Sequence, residues 1–322
     1  MSDPSALVYA DLRGVPQLVG RLWTTASMGR ESATFEYEKS WLANPERYAL
    51  EQALTLGPGP FHATTGQRVF GALGDSAPDW WGRTLLIRSE RRRASSPPRI
   101  TSLPMTKVRK ICACCWRRDL RWEAVALSLA QRCGIRVSEW RIEAVPDSEV
   151  LLLRRFDRRG RTRIPFLSAL SMLGEAERET RSCVEIADAL RQHGAAPQLD
   201  LPELWCRMVF NVMISNSDDH LRNHAFLFDG TAGWRLSPAY DLNPVPADAG
   251  PHVLSTAIGL DGDLTASVEL AMEVATEFAL KPADARAIAA HMSTEVRKWR
   301  RVAKSLGATA AELDHMASAF ER

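Results

Sequence analysis

The sequence predicts an α+β fold in two lobes, a small β-rich N-terminal part followed by a mostly helical body. Residues 6–24 alternate apolar and polar positions, the period of a half-buried strand, with Gly14 and Gly20 placed as turns. From Asp119 onward the apolar residues recur instead at three- and four-residue spacing, the period of amphipathic helices. At 322 residues the chain is long enough for two such parts. A chain of this size buries roughly three quarters of its unfolded surface, so its core needs no disulfide or metal staple.

The N-terminal part runs to about residue 88. Residues 35–42 continue its strand character. Asn44-Pro45 and Gly57-Pro58-Gly59-Pro60 punctuate it, and residues 70–87 read as a turn followed by a helix that starts near Pro78. Residues 89–120 form a basic connector. Between 88 and 121, eleven arginines and lysines face Glu90 and Asp119, and no glycine occurs between Gly82 and Gly134. A solvated, poorly ordered segment is the plain reading. A basic nucleic-acid patch is the other, but aromatic residues are sparse there.

Residues 121–322 make the helical body. Asp119 caps a helix whose apolar positions are Trp122, Val125, Ala126, Leu129 and Cys133, with Gly134 as the stop. Residues 150–156 read as a strand, and residues 161–167 return from the turn Arg159-Gly160 to complete a hairpin. Ser182 and Glu185 form a capping box ahead of Ile186, Ala189 and Leu190. Residues 201–214 are a helix with Leu204, Met208, Val209 and Val212 on one face. The tail, 268–320, is helical with a break at Gly307.

The net charge of +2 argues against a nucleic-acid or membrane surface spread over the whole protein. Six irregularly spaced cysteines do not make a disulfide framework. The first residues lack a basic segment followed by an apolar one, and no run approaches the roughly 18 apolar residues of a membrane span. The expectation is a reduced, soluble, cytoplasmic protein. Only six lysines stand against 35 arginines, so any role that needs lysine has few candidates.

The chemistry concentrates in residues 211–241. Asp218, Asn223 five residues later, and Asp241 beyond a short hairpin follow the D-x-x-x-x-N … D order of a kinase catalytic loop and its metal aspartate. Asp218 stands where a base for the acceptor hydroxyl would stand. Asn223 and Asp241 supply the hard oxygens that magnesium prefers. Residues 226–228 and 234–236, joined through Asp229-Gly230, form the hairpin that carries the chain back to Asp241. His220 lies between base and ligand, where it can contact a phosphate or fix the loop. Asp219 reads as a solvated or loop-bonding residue and His224 as structural. A metal-dependent hydrolase using Asp218, His220 and Asp241 is the rival chemistry. Cys112, Cys114, Cys115 and Cys133 invite a zinc reading, but C-A-C-C is not a standard knuckle and no histidine is near. Arg154, Arg155, Arg158 and Arg159 read as a charged strand and turn, or as a phosphate clamp.

These strings resemble the HipA-like toxin kinases, bacterial Ser/Thr kinases of toxin–antitoxin pairs. NSDDHLRNHAFL and WRLSPAYDLNP are similar to the family's catalytic and metal-binding strings. LLLRRFDRRGRTRIPFLSALSMLG resembles its adenine-side strand, RWEAVALSLAQRCGI its glutamate-bearing helix, and VFGALGDSAPDWWGRTLL its N-terminal subdomain. The likeness covers most of 1–88 and 121–322. It implies a two-lobed, HipA-like protein-kinase fold with MgATP as donor. It implies Asp218 as base, Asn223 and Asp241 as magnesium ligands, and His220 near the phosphates. It also implies that Arg155, Phe156 and Asp157 border the nucleotide and that Glu123 pairs with the ATP lysine. The implied partners are a cytosolic, translation-related protein substrate, such as an aminoacyl-tRNA synthetase, and a small DNA-binding antitoxin.

One segment departs from that family. Its members place a glycine-rich phosphate loop and a strand lysine before the glutamate helix, and here residues 89–120 hold no glycine. Backbone N–H groups approach a phosphate closely only where side chains are out of the way. Gly66, Gly71 and Gly74 lie in the N-terminal subdomain instead, without the G-K-[ST] of a P-loop. Lys110, within VRKICACCW, is the lysine placed to meet Glu123; solvated lysines at 107 and 110 are the plainer reading. The expectation is a kinase-like chain with part of its nucleotide lobe deleted and its turnover impaired. The alternative is a catalytically dead protein that acts by binding an antitoxin or another partner.

Overall fold

The N-terminal sheet is built on a two-residue reversal. Arg13 and Gly14 both take positive φ, 53° and 87°, the turn geometry that suits the twist of a hairpin. Asp11 Oδ1 accepts the Gly14 N–H at 2.6 Å. A computed structural model describes residues 5–27, 30–63, 69–76, 119–145, 148–160, 162–174, 181–248 and 253–321. It divides into two compact units. One takes the described N-terminal residues up to 76 together with 160–174, and the other takes 119–159 and 181–321.

In the first unit, strands Ser5–Leu12, Val15–Ser27, Arg30–Tyr37 and Pro60–His62 pair antiparallel in sequence order. Alternation along the third strand buries Ala33, Phe35 and Tyr37. Phe35 meets Tyr37 and Phe70 edge-on at centroid distances of 4.9 and 6.3 Å, a favoured aromatic geometry. Gly20 is not a turn. It lies inside the second strand opposite Tyr37, where a Cβ would sit 2.3 Å from the Glu36 carbonyl oxygen, so glycine serves close packing there. Residues 39–42 leave the sheet as the short helix Lys39–Leu42, which buries Trp41. Residues 71–75 are a short helix rather than a turn. The helix expected near Pro78, most of the 89–120 connector, Gly66, Lys107, Lys110 and the cysteines at 112, 114 and 115 lie outside the described residues.

Residues 160–174 pack with this unit, although the sequence places them in the helical body. The cause is a shared polar anchor. The Ser168 N–H and hydroxyl donate to the two Asp75 carboxylate oxygens at 2.7 and 2.9 Å. Gly71 lets the chain near Ser171, whose Oγ would lie 2.6 Å from a Cβ at that position.

Glu51 is buried here and accepts the Ala72 N–H. Burial pushes its carboxyl from 4.5 to about 7, with the Ala72 bond opposing and Asp75 adding. The folded pKa is the higher one. Stability is therefore full below about pH 4.5 and declines as pH rises toward 7, by up to about 3 kcal/mol. Glu51→Gln should flatten that decline and raise the unfolding midpoint near pH 8 relative to wild type. Denaturant titrations at about pH 5 and about pH 8 check this, and equal midpoints at both would overturn it.

The second unit opens on helix Asp119–Arg132. Trp122, Val125, Ala126, Leu129 and Cys133 are buried as the period requires. Gly134, at φ 78°, ends the helix with its N–H on the Gln131 carbonyl and that of Ile135 on the Ala130 carbonyl. Strand Ser148–Leu153 pairs with Trp140–Val145, not with 161–167. Trp140-Arg141-Ile142-Glu143-Ala144 alternates apolar and polar residues and supplies the missed partner. Helix Cys183–His193 carries the predicted capping box between Ser182 and Glu185 and buries Ile186, Ala189 and Leu190.

Helix Pro197–Met213 buries Leu204, Trp205, Met208, Val209 and Val212, and the Trp205 indole N–H donates to the Ala271 carbonyl at 2.7 Å. The tail is helical in segments, Val268–Glu273, Pro282–Val296, Trp299–Ser305 and Ala310–Phe320. Gly307 marks one break and Ala279, at φ 58°, another. Trp299 and Phe320 stack at 4.7 Å and join Trp122, tying the tail to the first helix of the unit. Among the described residues no helix is long and apolar enough to cross a membrane.

Candidate functional site

The Asp218 loop begins where helix Pro197–Met213 is forced to stop. Ser215 takes φ 54°, a position usually given to glycine. Its N–H donates to the Val212 carbonyl at 3.1 Å, and that of Asn216 to the Asn211 carbonyl at 2.8 Å. Ser215 Oγ donates to the Ala319 carbonyl at 2.9 Å, so the tail holds the exit in place. Asn216 Nδ2 donates to Asn211 Oδ1 at 3.2 Å in a buried pair.

The loop then separates its two aspartates. Asp218 is exposed, and among the described residues its carboxylate has no hydrogen-bond partner. Asp219 is buried and faces His224 Nε2 at 3.1 Å, also buried. The expected structural role of His224 and the loop-bonding role of Asp219 follow from this pair. The Asp218 carbonyl accepts the His220 N–H at 2.9 Å and Asn223 Nδ2 at 3.0 Å. Asn223 is thus oriented by its own amide nitrogen, which directs the amide oxygen away from that bond. His220 is half-buried, and among the described residues its Nδ1 has no hydrogen-bond partner.

The hairpin forms as the sequence predicts. Phe226 pairs with Leu236, Leu227 with Arg235 and Phe228 with Trp234. The register continues past the strands. The Ser237 N–H donates to the Ala225 carbonyl at 2.8 Å, and the Tyr240 hydroxyl to the Arg222 carbonyl at 2.5 Å. Asn223 and Asp241 each follow one partner of this side-chain-to-backbone bond. Asp241 takes φ 58°, a left-handed backbone that aspartate tolerates better than most residues, and its Oδ1 accepts Asn243 Nδ2 at 2.7 Å.

A buried charge network, invisible to the sequence reading, anchors this hairpin. Asp200, in the first turn of helix Pro197–Met213, is fully buried. Its carboxylate accepts Arg235 Nε at 2.8 Å, the Leu236 N–H at 3.0 Å and Arg136 at 3.1 Å. Arg136 also donates to the Leu236 carbonyl at 3.1 Å, and Arg207 donates to the Ser237 carbonyl at 2.5 Å. Glu203 pairs with both Arg136 and Arg207. Burial lowers the Arg207 pKa and the Glu203 carboxylate opposes that shift.

The nucleotide-side residues fall into two groups. Phe156 packs against Tyr240 at 5.5 Å, which brings the R-F-D string beside the Asp241 segment. Asp157 is buried and gripped on both sides, by Arg155 Nε at 2.8 Å and by Arg158 at 2.8 Å. Arg154 pairs with Glu139 at 2.9 Å. Three of the four arginines thus serve a charged strand and turn. Glu123 lies half-buried within helix Asp119–Arg132, and its expected partner Lys110 falls outside the described residues. Cys133 is a buried free thiol pushed up to about 12 by burial, a poor metal ligand.

Among the described residues no three His, Cys, Asp or Glu side chains gather to hold a metal. That disfavours the hydrolase trio of Asp218, His220 and Asp241.

The family described as HipA-like C-terminal domain matches residues 100–300, more than half of the chain. The first matched residue lies inside the basic connector. No curated protein matches the sequence. The structure is similar to that of HipA of Shewanella oneidensis MR-1, solved as a complex of a toxin–antitoxin system's HipA and HipB with operator DNA. That likeness has a TM-score of 0.63 at 13% identity and covers 97% of this chain and 95% of that one. A second likeness, to the Helicobacter pylori proinflammatory kinase CtkA, has a TM-score of 0.44 at 14% identity and covers 63% of this chain and 84% of that one. The α+β fold is thus that of HipA, strand-rich at its N-terminus and helical toward its C-terminus.

Proposed function

The chain belongs to the HipA-like C-terminal domain family, and from that membership we propose that it is a HipA-type serine/threonine kinase that takes phosphate from MgATP. The observation that carries the reading is the hairpin of Ala225–Phe228 and Trp234–Leu236 between the Asp218 loop and Asp241, with the Tyr240 hydroxyl bonded to the Arg222 carbonyl. Asp218 is the base that holds the proton leaving the acceptor hydroxyl. Asn223 and Asp241 would hold magnesium, which when bound neutralises charge on the phosphate oxygens. Phe156, beside Tyr240, borders the nucleotide with Arg155 and Asp157, and His220 faces the phosphates. The acceptor is a protein serine or threonine, and a small DNA-binding antitoxin is the partner; the similar HipA was solved with HipB and operator DNA.

The weak half of the site is the nucleotide side. No glycine stands between Gly82 and Gly134, and Lys107 and Lys110 are the lysines that precede Glu123 in that stretch. Charge stabilisation of the phosphates is usually the largest catalytic term. We therefore expect weak MgATP binding and slow turnover, with a dead, partner-binding protein as the second reading.

Calorimetric titration with MgATP should show binding well weaker than about micromolar, lost when Asp241→Ala or Asn223→Ala is introduced. Micromolar affinity would overturn the impairment. Labelled ATP should transfer phosphate to serine or threonine of an added protein mixture only when magnesium is present. No transfer at any enzyme concentration selects the partner-binding reading.

A further inference from the structure

Two neighbouring hydroxyls hold the backbone on either side of Asp218. Ser255 Oγ donates to the Ser217 carbonyl at 2.8 Å, and Thr256 Oγ1 donates to the Asp219 carbonyl at 2.7 Å. The carbonyl between them, that of Asp218, is taken by His220 N–H and Asn223 Nδ2. Three consecutive peptide planes are thereby fixed, those that set the direction of the Asp218 side chain. That side chain needs such help, because its own carboxylate is exposed and finds no partner among the described residues.

The donors are themselves anchored. The Ala257 N–H donates to the Arg181 carbonyl at 2.8 Å and its carbonyl accepts the Cys183 N–H at 2.8 Å. The Leu254 N–H donates to the Leu264 carbonyl at 2.8 Å. Leu254, Thr256, Ala257 and Ile258 are buried, whereas Ser255 is exposed. Neither Ser255 nor Thr256 belongs to the base, the metal pair or the nucleotide border.

We propose that Ser255 and Thr256 are positioning residues that hold the Asp218 loop in its working shape. Their catalytic meaning rests on the kinase reading; their hold on the loop does not. A base acts only within hydrogen-bond reach of the proton it takes. A shift of about 1 Å in such a group can cost on the order of 10²-fold in rate.

The test uses the full chain with Thr256→Val, Thr256→Ser, Ser255→Ala and Asp218→Ala. Amide exchange over residues 215–224 should quicken in Thr256→Val and, less, in Ser255→Ala, while the distant helices keep their protection. With labelled MgATP and a degenerate serine/threonine peptide mixture, Thr256→Val should lose roughly 10-fold or more in kcat at unchanged KM for MgATP. Thr256→Ser, which keeps the hydroxyl, should recover most of it. Unchanged loop exchange in both Thr256→Val and the fold-sparing Ser255→Ala would overturn the proposal. So would an unchanged kcat in Thr256→Val where wild type is active. If wild type and Asp218→Ala behave alike, it is the kinase reading that fails, and the exchange result alone decides the hold on the loop.

Discussion

Asp218→Ala should remove phosphate transfer, by on the order of 10²–10⁴-fold, while leaving stability and MgATP binding unchanged. The separation of effects follows from the loop. The Asp218 carbonyl carries its bonds to the His220 N–H and Asn223 Nδ2, and an alanine keeps that carbonyl. The exposed carboxylate contributes no hydrogen bond among the described residues, so its removal breaks nothing. Asp219→Ala should do the opposite. It strands a buried His224 that now lies 3.1 Å from the Asp219 carboxylate, at a cost of about 1–3 kcal/mol. Labelled-phosphate transfer and thermal melts of the two variants check the contrast. An unchanged rate in Asp218→Ala would sink the base assignment, and a large fall in its melting temperature would show that the carboxylate is structural.

That contrast marks the limit of what the sequence shows. Asp218 and Asp219 are the same letter twice, and spacing to Asn223 favours the first. Burial of the second behind His224 supplies the physical reason. The two strands of the hairpin are legible as short apolar runs beside Asp229-Gly230, but their connection is the five-residue 229–233 with a 3-10 turn at Gly230–Ala232, which sets Phe228 opposite Trp234. The helix of Trp122 and the capping box at Ser182 were legible from local period and chemistry. Strand Trp140–Val145 alternates plainly, but the run at 150–156 has a candidate partner on either side, and local period does not choose between them. Residues 160–174 are a different case. Their attachment to Asp75 joins residues 93 apart in sequence, and no local pattern records it. The Ser255 and Thr256 bonds to the Asp218 loop, 38 and 37 residues away, are hidden in the same way.

Asp200→Ala should be the most damaging single change outside the site, costing about 3–5 kcal/mol and leaving little soluble protein. A buried ion pair adds modest net stability, because desolvation offsets most of the attraction. Removing one partner is different, since the Leu236 N–H and Arg235 lose their acceptor, while the part-exposed Arg136 keeps Glu203. Here Asp200 is fully buried, and its carboxylate accepts from Arg136, from Arg235 and from the Leu236 N–H. Its loss leaves a backbone donor unpaired and leaves Arg207, already disfavoured in its charged form by burial, with Glu203 to share with Arg136. A domain stable by roughly 5–15 kcal/mol cannot absorb that without a large shift in its unfolding midpoint. Asp200→Asn keeps an oxygen for the Leu236 N–H but loses the charge, so it should fall between wild type and alanine. The same bonds hold strand Trp234–Leu236, five residues before Asp241 at its nearer end. The asparagine variant should therefore lose magnesium-dependent MgATP binding before it loses its fold. Denaturant unfolding set beside calorimetric titration of Asp200→Asn reads both effects. Full MgATP binding in a measurably destabilised Asp200→Asn would show that the network supports the core without positioning Asp241.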